Sequence, residues 1–113
     1  LTPTGVRRDF IYIDDVIDGY IKAAAISLPK SDNRIFNLGT GKEYDNGEVL
    51  RILEKIINKK ANIQGSYRPR NWDQKHWRAD IGKSCRTLKW QAKTSLEKGL
   101  IKTVEWARQY YGY

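Results

Sequence analysis

Thiol and imidazole chemistry is almost missing from this chain. Cys85 and His76 are the only residues of their kinds, and there is no methionine. A lone cysteine excludes an internal disulfide and points to a reducing compartment, expected to be cytoplasmic. One histidine, with no second histidine and no suitably spaced cysteine, gives no zinc site, so no metal is expected. No serine stands in a nucleophile-elbow context, which excludes a triad hydrolase of that type. No apolar run approaches the roughly 20 residues of a membrane span, so no membrane partner is expected. A signal peptide is also missing, but the chain begins at Leu1 without a methionine, which takes the weight from that absence.

What is present suits one folded domain. The chain has 113 residues, 40% of them hydrophobic, enough to bury a core. Its formal charge is +8, and the surplus is local. Residues 59–93 hold ten Lys or Arg against only Asp73 and Asp80, which accounts for the whole excess. A local basic excess implies an anionic partner: a nucleotide, a nucleic acid or an acidic surface.

Hydrophobic periodicity divides the chain into short segments. Residues 10–13 form an apolar and aromatic run expected to be a buried strand. Arg7 and Arg8 stand at its mouth, well placed to meet an anion or to remain solvated. A helix is expected over residues 15–28, with Val16, Ile17, Tyr20, Ile21, Ala24, Ala25 and Leu28 on its buried face. Asp14, Asp15 and Asp18 are read as helix caps and first-turn charges. A second strand is expected over 34–38, closed by the turn Gly39-Thr40-Gly41. Asp45 and Glu48 make a capping box for a helix to about Asn58, with Val49, Leu50, Ile52, Leu53, Ile56 and Ile57 as its buried stripe. Residues 61–67 are a weaker strand candidate, because Gly65 interrupts them. Residues 69–78 lack periodicity and read as a loop. Asp80 is expected to cap a short helix to about Leu88, with Trp90 as an apolar plug. Thr94 and Glu97 are expected to open the last helix. Strand and helix alternate, so the fold class is α/β, a small mixed or parallel sheet with flanking helices.

Chemical signals are few. The Gly39-Thr40-Gly41 turn lacks the third glycine of a dinucleotide fingerprint, since Tyr44 occupies that place, and a simple tight turn is the preferred reading. Trp90 and Trp106 sit near helix ends and are expected in the core. Trp72 and Trp77 are interleaved with Arg68, Arg70, Lys75 and Arg78. That mixture suits either base stacking with charge neutralisation or a loop anchored to the core.

With these segments placed, the chain resembles the C-terminal part of the extended short-chain dehydrogenase/reductase family, the nucleotide-sugar epimerases and dehydratases. The resemblance rests on Arg8-Asp9-Phe10-Ile11-Tyr12-Ile13-Asp14-Asp15-Val16, on Ile35-Phe36-Asn37-Leu38-Gly39-Thr40-Gly41, on Arg70-Asn71-Trp72-Asp73 and on Ala79-Asp80-Ile81 leading to Leu88 and Trp90. The closing Ser95-Leu96-Glu97-Lys98-Gly99-Leu100, with Thr103-Val104-Glu105-Trp106, completes it.

The resemblance implies a single substrate-binding unit over residues 1–113, the C-terminal part of a Rossmann-type fold. Its implied partners are a nucleotide-diphosphate sugar and an upstream Rossmann domain. Arg8 and Arg70 match the two arginines that clamp the substrate's pyrophosphate, a job suited to planar forks on separate segments. Asn37, Trp72 and Asp73 match positions near the substrate, with Trp72 replacing the motif's glycine. The cofactor implied for the complete enzyme is NAD or NADP, not bound by this chain alone. The family's Tyr-x-x-x-Lys pair is absent: Tyr12, Tyr20, Tyr44 and Tyr67 are followed four residues on by Val16, Ala24, Glu48 and Asn71. No catalytic residue is therefore expected here, and the chain by itself is expected to be inactive. Epimerase (isomerase), dehydratase (lyase) and reductase outcomes all stay open, and a homodimeric parent is compatible with the likeness. The rival reading is a small basic domain that binds nucleic acid through residues 59–93, with an affinity that falls steeply with salt.

Overall fold

The computed structural model describes residues 5–27, 29, 34–64 and 71–112. Seven elements follow in order: β1 (Arg7–Arg8), α1 (Ile13–Ala25), β2 (Tyr44–Asp45), α2 (Asn46–Ile57), β3 (His76–Trp77), α3 (Gly82–Leu88) and α4 (Leu96–Tyr111). β1 is the middle strand of a small mixed sheet, antiparallel to β2 and parallel to β3. Arg7 lies opposite Asp45 and His76, and Arg8 opposite Tyr44 and Trp77. The α/β class expected from the sequence is therefore the one observed, although the strands fall elsewhere.

The ladder begins earlier than the apolar run suggested. Arg7 donates its amide to the Lys75 carbonyl at 2.8 Å and Asp9 to the Trp77 carbonyl at 3.2 Å. Residues 10–12 belong to no strand, and Ile13 already starts α1. Tyr12 instead packs on α4, where a Cβ at Gly99 would stand 3.3 Å from its ring. Residues 34–38 also lack ladder pairing among the described residues. There the Asn37 carbonyl accepts the Ser84 hydroxyl, so a side chain takes the place of a neighbouring strand. Residues 61–64 form no strand, and the remainder of that candidate lies outside the described residues. The loop expected over 69–78 contains β3.

Helix signals fared better. The Asp45–Glu48 capping box forms, with Asp45 Oδ1 accepting the Glu48 amide and Glu48 Oε2 accepting the Asp45 amide, each at 2.8 Å. α2 ends at Asn58 in the left-handed region, which asparagine tolerates better than most residues. The cap expected at Asp80 falls one residue away: the N-cap of α3 is Ile81, without a side-chain cap bond, and Asp80 Oδ1 accepts the Gly82 amide at 2.9 Å from just before it. The cap of α4 is Ser95 and not Thr94, whose amide is directed elsewhere.

The core centres on Trp90, 1% exposed, whose indole N–H donates to the Asp15 carbonyl at 3.0 Å. Its ring and Leu38 lie directly on the backbone of α1, so a Cβ at Gly19 would stand 2.7 Å from Leu38 Cδ1 and 3.3 Å from Trp90 Cε2. Asp15 is not a cap for its own helix. Its buried carboxylate accepts the amides of Lys93 at 3.2 Å and Thr94 at 2.9 Å, which staples the segment before α4 to α1. Burial pushes the Asp15 carboxyl up, but the Thr94 and Lys93 amides outweigh it and hold the group below its ordinary value.

Three burial expectations are overturned. The stripe expected to be buried on α2 holds no buried residue, and Ile57 is 39% exposed. Ile17, Tyr20 and Ile21 of α1 are exposed, Tyr20 at 70%, because α1 turns Asp15 and Gly19 inward. Trp106 is 50% exposed and stacks with Tyr110 and Tyr111 at the surface, with ring centroids 5.5 Å apart in each pair. Among the described residues no helix is long and apolar enough to cross a membrane.

Candidate functional site

Two consecutive arginines on β1 have different surroundings. Arg7 faces three carboxylates, with nitrogen–oxygen distances of 2.9 Å to Glu48, 3.4 Å to Asp45 and 3.8 Å to Glu43, and it donates to the Glu43 carbonyl at 2.8 Å. His76 Nδ1 lies 2.7 Å from the same Glu43. Arg7 is thus a structural cation binding β1 to the start of α2.

Arg8 opens onto a cavity of about 630 Å³ lined by Asp9, Phe36, Asn37, Trp77 and Arg78, among others. Its Nη1 donates to the carbonyls of Arg7 at 2.8 Å and Gln74 at 2.9 Å. Its Nη2 stands 3.7 Å from Asp73 Oδ1, and the guanidinium carbon sits 5.4 Å from the Trp77 ring centroid. An oriented guanidinium against an indole at the wall of a cavity favours a planar or phosphorylated anionic ligand.

Asp9 organises the floor of this cavity. Its carboxylate accepts the Thr40 amide and the Gly41 amide, both at 2.9 Å, the Thr40 hydroxyl at 2.6 Å and the Ala79 amide at 3.3 Å. One side chain therefore fastens the glycine turn and the segment after β3 to the end of β1. Gly39 is required by this closeness, since a Cβ there would stand 2.5 Å from the Ala79 Cβ and 2.7 Å from Asp9 Oδ2. The amides of the turn are donated to an internal carboxylate, which is the tight-turn reading. They offer no cradle for a dinucleotide.

The structure brings together part of the set singled out in the sequence. Asn37 lines the cavity, and its side-chain amide donates to the Asp80 carbonyl at 3.3 Å. Asp73 reaches the site through Arg8. Trp72 is exposed and is not a lining residue. Arg70 lies outside the described residues. Trp77 and Arg78, part of the tryptophan–arginine mixture noted in the sequence, also line the cavity, and Phe36 and Asp9 join them without any signal of their own. Nothing local in the sequence announces that a carboxylate at position 9 will receive amides 31 residues later.

The basic excess of residues 59–93 is spread over several elements. Lys60 pairs with Glu54 at 2.9 Å. The Ala61 amide, and then Lys60, hold the Glu54 carboxyl below its ordinary value. Lys83 donates to the Ile35 carbonyl at 3.1 Å and lies over the Phe36 ring.

No family model matches the chain. Sequence similarity connects it to UDP-glucuronate 4-epimerase of Thermodesulfobacterium geofontis, 38% identical over 103 residues, covering 90% of this chain and 30% of that protein. UDP-glucuronate 4-epimerase 4 of Arabidopsis thaliana is 35% identical over 117 residues, covering 94% of this chain and 26% of that protein. The chain thus spans less than a third of the length of these curated relatives. Among solved structures, UDP-glucose 4-epimerase of Thermotoga maritima with UDP-glucose superposes with a TM-score of 0.81 at 31% identity, covering 98% of this chain and 35% of that one. UDP-glucuronic acid 4-epimerase of Bacillus cereus, in complex with UDP-glucuronic acid and NAD, gives a TM-score of 0.80 at 30% identity, covering 98% and 36%. The fold is that of the C-terminal part of Rossmann-type epimerases.

Proposed function

We propose that this chain, which matches the C-terminal part of NAD-dependent UDP-sugar epimerases, is the portion of such an enzyme that holds the nucleotide sugar. The observation that carries the reading is Arg8: an oriented, partly exposed guanidinium at the wall of the cavity, with Trp77 across one face and Asn37 opening into the same space. Arg8 meets the diphosphate, and Arg70 is assigned the second arm of the clamp by family likeness. Asn37 faces the sugar side, and fixing the diphosphate sets where the sugar ring lies.

Cofactor chemistry is assigned to another part of the complete enzyme. NAD or NADP requires a glycine-rich turn with free amides, whereas the amides of Thr40 and Gly41 are already donated to Asp9. The Gly39-Thr40-Gly41 turn therefore does not supply those free amides. The exposed apolar stripe of Ile13, Ile17, Tyr20 and Ile21 on α1 is the surface on which the cofactor-binding domain is proposed to rest.

Steady-state kinetics of the complete protein with a UDP-sugar test the clamp. A charge-assisted hydrogen bond contributes about 1.5–3 kcal/mol, so Arg8→Ala should raise KM by about 10- to 100-fold with a smaller effect on kcat. Arg70→Ala should act in the same direction. Wild-type KM in both variants refutes the reading.

A further inference from the structure

β3 is an edge strand of two exposed residues, yet the chain around it supplies much of what surrounds Arg8. The Gln74 carbonyl accepts from Arg8 Nη1, and the Lys75 and Trp77 carbonyls accept the amides of Arg7 and Asp9 on either side. The Trp77 ring lies against the Arg8 guanidinium. Successive side chains of a strand face opposite ways, so His76 turns away from Trp77 and the cavity, to the side of the sheet that holds Arg7. There its Nδ1 meets Glu43 Oε1 at 2.7 Å. Glu43 directly precedes β2, the strand on the far side of β1, so this contact passes over the middle strand and clasps the two outer ones. Arg7 Nε stands 3.8 Å from the same Glu43 oxygen. The other charged groups on this side, Asp45 from β2 and Glu48 from α2, are paired with Arg7, and the Lys75 side chain lies beside Gly5.

We propose that His76 is a positioning residue for the nucleotide-sugar site, holding β3, and through it Gln74 and Trp77, against Arg8 most firmly when its imidazole is charged. The inference rests on the reading of the cavity as a nucleotide-sugar site, and His76 does not line that cavity. The Glu43 carboxylate can only accept, so Nδ1 carries a hydrogen in both charge states of the ring. A second proton, on Nε2, adds charge to a bond already made and strengthens it. The clasp therefore persists as pH rises but loses its ionic part. Imidazole changes charge between about pH 5 and 8, so the ionic part is present at the lower end and lost towards the upper. Affinity for the substrate should fall in the same direction. The His76 side chain is 64% exposed, and solvent screening keeps the effect small.

Calorimetric titration of the complete protein with UDP tests the clasp at about pH 6 and about pH 8, with thermal melts confirming that each variant is folded. Changes in the charge of UDP itself are common to all variants and cancel in the ratio of each dissociation constant to that of wild type. His76→Gln keeps a neutral donor for Glu43 but no charge. It should bind UDP about two- to threefold more weakly than wild type at the lower pH and equally well at the higher. His76→Lys, charged throughout, should match wild type at the lower pH and bind about two- to threefold more tightly at the higher. It supplies the comparison if the glutamine variant does not fold. A purely structural histidine would shift the ratio equally at both pH values. Ratios that do not change with pH in either variant, with Arg8→Ala still impaired, overturn the positioning role and leave the cavity reading intact. Wild-type UDP affinity in Arg8→Ala overturns the cavity reading itself and the role of His76 with it.

Discussion

Arg7 and Arg8 are neighbours in sequence, but successive side chains of a strand point to opposite faces, so each meets a different environment. Arg7 is absorbed by Glu43, Asp45 and Glu48, while Arg8 is left at the cavity. Two other residues decide stability at this scale, and both are carboxylates that accept backbone amides. Asp9 draws three segments together, and Asp15 ties α1 to the residues before α4. Asp15 has a consequence for acid behaviour. Its carboxyl is depressed below the ordinary value of 3.8, so its stabilisation is complete above that value and is lost as pH falls through the lower folded value. Asp15→Asn should cost on the order of 2 kcal/mol at neutral pH, because the buried carboxylate's bonds to the Lys93 and Thr94 amides are replaced by weaker ones. Urea unfolding as a function of pH should then show a shallower loss below about pH 4 for the variant than for wild type. Parallel acid limbs would exclude this role.

Among the elements, α2 illustrates what sequence can specify. Asp45 and Glu48 are three residues apart, their reciprocal bonds need no distant partner, and the box forms as expected. Asp45→Ala should remove about 1 kcal/mol through the cap, with a further part from the lost Arg7 contact, readable as a lower urea midpoint. Local signals of this kind located all four helices to within a few residues. The strands were less legible, because a strand of two residues is defined by its partner and not by its own composition. Phe10 and Ile11 look like a strand yet have none beside them among the described residues, whereas polar Arg7 and Arg8 have one on each side. The helix face of α1 was misjudged for a related reason. Periodicity showed the stripe of Ile17, Tyr20 and Ile21, but not that Gly19 would be the contact for Trp90 and Leu38. Of the candidate site, Arg8 and Asn37 were legible through the family likeness, while the Asp9 hub depends on contacts across 31 to 70 residues that no local pattern encodes.

At the scale of the whole molecule the chain is a plate. Its principal extents are 52 × 39 × 19 Å, and its radius of gyration is 17.0 Å. A compact domain of about 100 residues has a radius near 13 Å. A thickness of 19 Å leaves room for two layers and little interior, in keeping with Leu88 and Trp90 as the buried hydrophobic residues among those described. Such a shape leaves both the cavity and the apolar stripe of α1 open at the surface. It also determines how the chain should behave in heavy water. In a body this thin few amides lie beneath a packed layer, so most need only a local opening to exchange. The slowest-exchanging protons should be those of α3 and the Lys93 and Thr94 amides around Trp90 and Asp15, with α2 and the far end of α4 labelled well before them in mass-spectrometric exchange. Equal retention across all four helices would mean that protons are guarded cooperatively from end to end, and that a plate two layers deep can still shelter its hydrogens like a sphere.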